Sequence, residues 1–237
     1  MKLRIAAFCT LALLTLLALA YGAWRIADAR TFQLFGGLVA RVETDSPVVA
    51  LTFDDGPTPA ATDSILAILE REGIHATFFF TGAELSANPA LGPRFVRAGH
   101  ELGNHSYSHS RMVLKSPGFV RREIESTDSL IRRAGYAGTI HFRPPYGKKL
   151  VALPWYLRRT GRKTIMWDVE PDSYADIGGS AERIVAHVLQ NVRPGSIIIL
   201  HVMYPSRRES LRAVPRIVRG LEERGYRFVT VSELLRS

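Results

Sequence analysis

Val48-Val49-Ala50-Leu51-Thr52-Phe53-Asp54-Asp55-Gly56-Pro57 carries an apolar run straight into two adjacent carboxylates and a turn. The apolar part reads as a strand, and from it strand-like runs alternate with amphipathic stretches to the C-terminus. Strands are expected at 48–53, 76–81, 101–103, 139–143, 164–167, 196–201 and 227–231, with helices at 59–72, 89–98, 119–134, 149–160, 181–191 and 210–223. This alternation implies parallel strands with crossover helices, and continuously apolar runs such as Ile197-Ile198-Ile199-Leu200 imply strands covered on both faces. The expected fold is α/β, a distorted or incomplete (β/α) barrel preceded by an N-terminal apolar helix. In such folds chemistry gathers at the C-terminal ends of the strands, where Asp54, Asp55, Arg143, Asp168 and His201 all fall.

The N-terminus sets the compartment. Lys2 and Arg4 precede an uncharged, almost wholly apolar run from Ile5 to Trp24, which reads as a signal peptide or a membrane anchor. Ala18-Leu19-Ala20 offers a small-residue cleavage site, but the run is long enough to span a bilayer and Arg25 follows it, which tips the reading toward an anchor. Either way the domain is exported: anchored facing outside the cytoplasm, or periplasmic or secreted after cleavage. The expected organisation is 1–24 signal or anchor, 25–47 connector and 48–237 catalytic domain. Cys9, the only cysteine, lies within the apolar run, so the exported domain has no disulfide. Lysine and arginine exceed aspartate and glutamate by 31 − 22 = 9, favouring contact with anionic surfaces. The arginines are interleaved with acids, as in Arg121-Arg122-Glu123, which argues against nucleic acid as a partner.

Neighbouring carboxylates repel unless a cation lies beside them, although Asp54-Asp55-Gly56 alone is also an ordinary solvated turn. Asn104-His105-Ser106-Tyr107-Ser108-His109 places two histidines four apart, a spacing that on a helical turn puts both imidazoles on one face, within reach of a single metal. Two histidines and one carboxylate leave coordination positions open, as in a catalytic rather than a structural zinc site. In Arg143-Pro144-Pro145-Tyr146-Gly147 the prolines and glycine fix a loop able to aim an amide N–H at an oxyanion, and the arginine can hold a carboxylate ionised. His201 ends a strand and, alone, reads more readily as a satisfied histidine than as a catalytic one.

Together these motifs resemble the polysaccharide deacetylase family, also called the NodB-homology or carbohydrate esterase 4 group, over about Val48 to Leu235. The resemblance implies Asp54 as general base and Asp55, His105 and His109 as metal ligands. It also implies Arg143 as the residue orienting the base, the Tyr146 N–H as oxyanion donor with Pro145 beside it at the substrate, Leu200 lining the acetyl pocket and His201 as general acid. The implied cofactor is a divalent metal, zinc first, with cobalt, manganese and nickel also suited. Family members commonly carry an Asp-Trp pair after the fifth strand, and here Ser173-Tyr174 occupies the nearest alignment of that pair. The histidine's acidic partner is then sought among Asp168, Glu170 and Asp172, with Asp168 first because it directly follows the strand, and Tyr174 is expected at the substrate.

The expected reaction is hydrolysis of the acetyl amide of N-acetylglucosamine-containing poly- or oligosaccharides such as peptidoglycan or chitin-like chains. Amide hydrolysis at neutral pH requires an activated water, oxyanion stabilisation and a proton donor, and this set offers all three. An O-acetyl esterase acting on acetylated glycans such as acetylxylan uses the same groups, and a catalytically inactive glycan-binding envelope protein is a further alternative. A glycoside hydrolase fits poorly, because its two carboxylates stand about 5 Å or more apart across a cleft rather than adjacent in sequence.

Overall fold

The computed structural model describes residues 2–237. Residue 1 of the expected 1–24 signal or anchor segment lies outside the described residues. The apolar segment forms one helix, α1 (Lys2–Asp28), whose described side chains are exposed up to Tyr21, after which the helix comes onto the domain and Ala27 is buried.

The centre of the sheet is β2 (Val48–Asp54), with every residue buried. It lies parallel to β3 (Thr77–Phe80) on one side and β6 (Ile197–His201) on the other, and β4 (Glu101–Asn104) pairs with β3. Beyond β4 the circuit closes through short pieces. Phe142 bridges Asn104 and Thr164, β5 (Thr164–Ile165) pairs with β1 (Leu38–Val39), and Val169 bridges Ile198 of β6. The result is a distorted (β/α) barrel whose far wall is made of single bridges rather than full strands.

Two departures from the expected strands have local causes. The 139–143 segment contributes only the Phe142 bridge, because Pro144 and Pro145 have no N–H to extend the ladder. The last strand, β7 (Arg227–Phe228), stops early because Thr230 begins a helix (Val231–Leu234), its side chain and that of Glu233 forming a reciprocal capping box. Residues 25–47 contain β1 and the last turn of α1, so this stretch, read as a connector, is partly built into the sheet. A short helix at Gly82–Ala87, capped by Thr81, was not expected.

Alternation along the strands separates two cores. Val49, Leu51, Phe53, Ile198 and Leu200 face the outer layer, where α2 (Pro59–Arg71), α7 (Ala181–Asn191) and α8 (Arg208–Glu222) pack. Ala50, Ile197 and Ile199 face the interior with Phe79, Met166 and Trp167. The same period of two turns Thr52, Asp54 and His201 inward, so polar groups cap an apolar interior at its C-terminal rim.

Candidate active site

Asp54 and His201 are register partners on adjacent strands, which sets both at one level of the rim. Asp54 is 2% exposed, and its Oδ1 accepts a hydrogen bond of 2.6 Å from Arg143. Arg143 is fully buried: it also donates to Thr52 Oγ1 at 2.8 Å and to the Met166 carbonyl at 3.1 Å, and its guanidinium lies 4.1 Å from the Phe79 ring centroid. Burial would raise the Asp54 pKa, but the Arg143 charge, with His105 and His201, outweighs it and holds the carboxyl below its ordinary value. Asp54 is therefore ionised at neutral pH inside an otherwise apolar barrel.

Asp55 leaves the ladder. Its φ of 71° and the 80° of Gly56 place both in the left-handed region, turning the second carboxylate away from the first. Gly56 is required there twice over, since a Cβ would also meet the Met203 side chain at 2.6 Å. Glu84 clamps the turn, accepting from the Gly56 N–H at 2.6 Å and from the Tyr204 hydroxyl at 2.6 Å.

The two histidines do not lie on a helical turn, as their spacing had suggested. They sit in a loop in which Ser106 and His109 both have positive φ, 67° and 54°. That loop is held from behind by Glu123 of α5 (Pro117–Arg133), whose carboxylate accepts the N–H groups of Tyr107 at 3.0 Å and Ser108 at 2.8 Å. The imidazoles end 5.0 Å apart, and the ligand atoms of Asp55, His105 and His109 all lie within 4.8 Å of one another. His105 Nδ1 donates to the Arg143 carbonyl at 2.8 Å, which turns Nε2 toward Asp54, 3.4 Å from its Oδ2, as the ring atom able to ligate. Burial and the nearby His105 hold His109 below the ordinary imidazole pKa, which favours the form that can ligate. Three such donors, close together beside an open cleft, fit one divalent ion with coordination positions left over.

Asp172, not Asp168, is the partner of His201. Its Oδ1 lies 3.1 Å from His201 Nδ1, its Oδ2 accepts the His201 N–H at 2.7 Å, and Ser210 donates to that oxygen at 2.8 Å. Burial works to lower the His201 pKa, but the Asp172 contact, aided by Asp54 and Asp55, pushes it up to about 9. Asp168 sits at the opposite end of β6, accepting from the Ile197 N–H and the Ser196 hydroxyl, both at 2.8 Å. The segment after β5 runs on beside β6, so the rim is reached at Asp172, four residues beyond Asp168.

Other assignments also shift. Ile199, not Leu200, faces the cleft, because the alternation that turns His201 inward turns Leu200 into the outer core. Tyr174 is 43% exposed and its ring lies 5.9 Å from His187, outside the cleft, whose wall is Trp167 instead. Pro145 is buried behind the loop, while Tyr146, with φ 58°, lines the cleft 4.6 Å from the His109 ring. The cleft is about 310 Å³ and also takes in Asp28, the last residue of α1, and Arg30 just beyond it. Arg30 pairs with Glu170 and stacks 5.3 Å from Trp167. Glu123, Glu84 and Arg30 were not singled out from the sequence, since each reaches the site from an element remote from the motif it supports, and Ile199 was passed over for its neighbour Leu200.

The family model described as Polysaccharide deacetylase matches residues 41–165. The chain belongs to this family. It is 33% identical to a peptidoglycan-N-acetylglucosamine deacetylase of Bacillus cereus, over 85% of this chain and 94% of the relative. A chitooligosaccharide deacetylase of Bradyrhizobium is also 33% identical, over 78% and 90%. Among solved structures, the Bc1960 peptidoglycan N-acetylglucosamine deacetylase superposes with a TM-score of 0.77 at 32% identity, covering 82% of this chain and 91% of that one. The parallel-strand α/β architecture is therefore the family's.

Proposed function

We propose that this polysaccharide deacetylase family member hydrolyses the acetyl amide of N-acetylglucosamine-containing glycans of the cell envelope, its catalytic domain spanning 48–237 and α1 serving as a membrane anchor that holds it outside the cytoplasm. The carrying observation is the pairing at one rim of an ionised, arginine-held Asp54 with a carboxylate-held His201, beside the Asp55, His105 and His109 cluster. Relatives bearing deacetylase names across nearly their full length support the same substrate class.

Asp55, His105 and His109 would hold the ion, for which zinc suits two imidazoles and a carboxylate. When bound, a divalent ion there supplies Lewis acidity to the acetyl oxygen and acidity to the attacking water. Asp54 takes the water proton, and Arg143 keeps that carboxylate ionised and pointed inward. The Tyr146 N–H, held on a left-handed residue between Pro145 and Gly147, serves the developing oxyanion. Ile199 and Trp167 wall the acetyl methyl from water. His201, with Nδ1 tied to Asp172, donates from Nε2 to the sugar nitrogen as the C–N bond breaks, giving acetate and a free amine.

The test is acetate release from peptidoglycan, chitooligosaccharides, poly-N-acetylglucosamine and acetylxylan, before and after chelation. Chelator-sensitive release from the N-acetylated substrates is expected. Release from acetylxylan alone, or none from any substrate with metal restored, overturns the proposal.

A further inference from the structure

Outside the cleft, the most unusual surface is an apolar face beside α1. Leu114 is 90% exposed and has φ 54°, a left-handed conformation that costs a leucine energy and leaves its side chain uncovered by the protein. Val151 and Trp155 next to it are 51% and 39% exposed. Two hollows of about 570 and 620 Å³ share Leu114 and Leu150, the first bounded by Ala20, Ala23, Trp24 and Ala27 of α1, the second by Val151 and Trp155. The patch is therefore continuous with the helix read as the anchor.

Its height along that helix is set by helix geometry. About 20 residues cross the hydrocarbon core of a bilayer, and counted from Ile5 they end near Trp24. Tyr21 and Trp24, both more than half exposed, stand where aromatic residues favour the interface. Leu114 lines the same hollow as Ala20, Ala23, Trp24 and Ala27, which sets it at the height of the interfacial end of α1. Cations ring the patch: Arg111, Lys115 and Arg159 rest on the rings of Tyr146, Phe119 and Trp155, at 4.6, 4.8 and 4.9 Å, rather than on carboxylates. An apolar centre with an unneutralised basic rim at that depth matches an anionic lipid surface.

The helix is also joined to the domain rather than loosely tethered. Lys148 pairs with Asp28, the Lys149 amide donates to the Ala27 carbonyl at 3.2 Å, and the Lys149 ammonium donates to the Ala29 carbonyl. With Asp28 and Arg30 lining the cleft, the orientation of α1 dictates where the cleft opens.

We propose that the face around Leu114, Val151 and Trp155 docks on an anionic phospholipid surface, fixing the catalytic cleft at headgroup level. This rests on the anchor reading of α1 but not on the choice of glycan. The test uses the full chain with Cys9→Ser and Leu114→Cys, labelled with an environment-sensitive fluorophore and reconstituted into phosphatidylcholine vesicles with or without phosphatidylglycerol. A second chain carries the label at Asn191→Cys, which precedes β6 at the opposite end of the barrel. Spin-labelled lipid should quench the label at 114 severalfold more than that at 191, and phosphatidylglycerol should increase the difference. Equal quenching at the two positions, or a label at 114 shielded only in cross-linkable pairs of chains, overturns the docking, and a difference unaffected by phosphatidylglycerol overturns its anionic character. Acetate release from soluble chitooligosaccharide, measured on the same samples, reads the proposed activity independently: its loss with quenching intact would sink the function and leave the docking standing.

Discussion

The Asp172 carboxylate grips His201 twice, through Oδ1 to Nδ1 at 3.1 Å and through Oδ2 to the backbone N–H at 2.7 Å. One side chain thus sets the imidazole's tautomer and its position on the strand. It also raises the pKa to about 9, against burial. In the proposed role of general acid His201 works only while protonated, so activity is expected to fall as pH rises through the folded value. Asp172→Asn removes the charge and should move the basic limb of the kcat/KM profile toward the unperturbed value of about 6.5. A bound dication lowers the starting point but not the sign of the change. Asp168→Asn should leave the limb in place and cost about 1–2 kcal/mol of stability, through weakened bonds to Ser196 and Ile197. A limb that moved in Asp168→Asn and not in Asp172→Asn would reverse the assignment.

Asp54→Asn should keep the metal and lose turnover by about 10²–10⁴-fold, since an amide cannot take the water proton. It also strands the fully buried Arg143 without a counter-charge, at a cost of up to about 3–5 kcal/mol. Adding Arg143→Met should recover much of the melting temperature and none of the activity. His105→Ala should instead lose the metal, so metal content measured on the purified variants separates the two roles.

Glu123 contacts no substrate, yet it holds the histidine loop through two backbone N–H groups and the Ser108 hydroxyl. Glu123→Ala leaves those groups unpaired and lets His105 and His109 drift. Metal affinity, titrated against a chromogenic chelator, should fall by about 10–100-fold, with kcat at saturating metal largely retained. Unchanged affinity would mean that the loop holds its left-handed residues without Glu123.

What was legible in the sequence follows from how local each signal is. The apolar runs of β2 and β6, with Asp54 and His201 ending them, are contiguous, so both strands and their shared rim could be read directly. The histidine pair was legible as metal-binding chemistry but not as geometry, because its conformation comes from Glu123 on a later helix. Asp172 was misplaced in favour of Asp168 because the apolar run stops at Trp167 while the chain continues beside β6. Asp168 meets Ile197 and Asp172 meets His201 at the same offset of 29 residues, a register that only strand pairing supplies. Ile199 was within reach: an inward His201 requires an inward residue two positions earlier.

That alternation yields the last prediction. Ile199 and Leu200 are both buried aliphatics on β6, but Ile199 faces the cleft and Leu200 packs in the outer core with Val214 and Ile217. Truncating either leaves a cavity, and Leu200→Ala should cost about 2–5 kcal/mol of stability. Only Ile199→Ala opens that cavity into the cleft, where the proposed reaction places the acyl group. The variant should therefore accept N-propionyl oligosaccharides better relative to N-acetyl ones, since one methylene in a hydrophobic pocket is worth about 1–3 kcal/mol, or about 10–200-fold. Leu200→Ala, assayed on its folded fraction, should keep the parent's acyl preference. Competition between the two substrates, with acetate and propionate quantified together, reads the ratio without needing absolute rates. A shift in acyl preference for Leu200→Ala, with none for Ile199→Ala, would mean that the pocket is walled by the opposite face of β6.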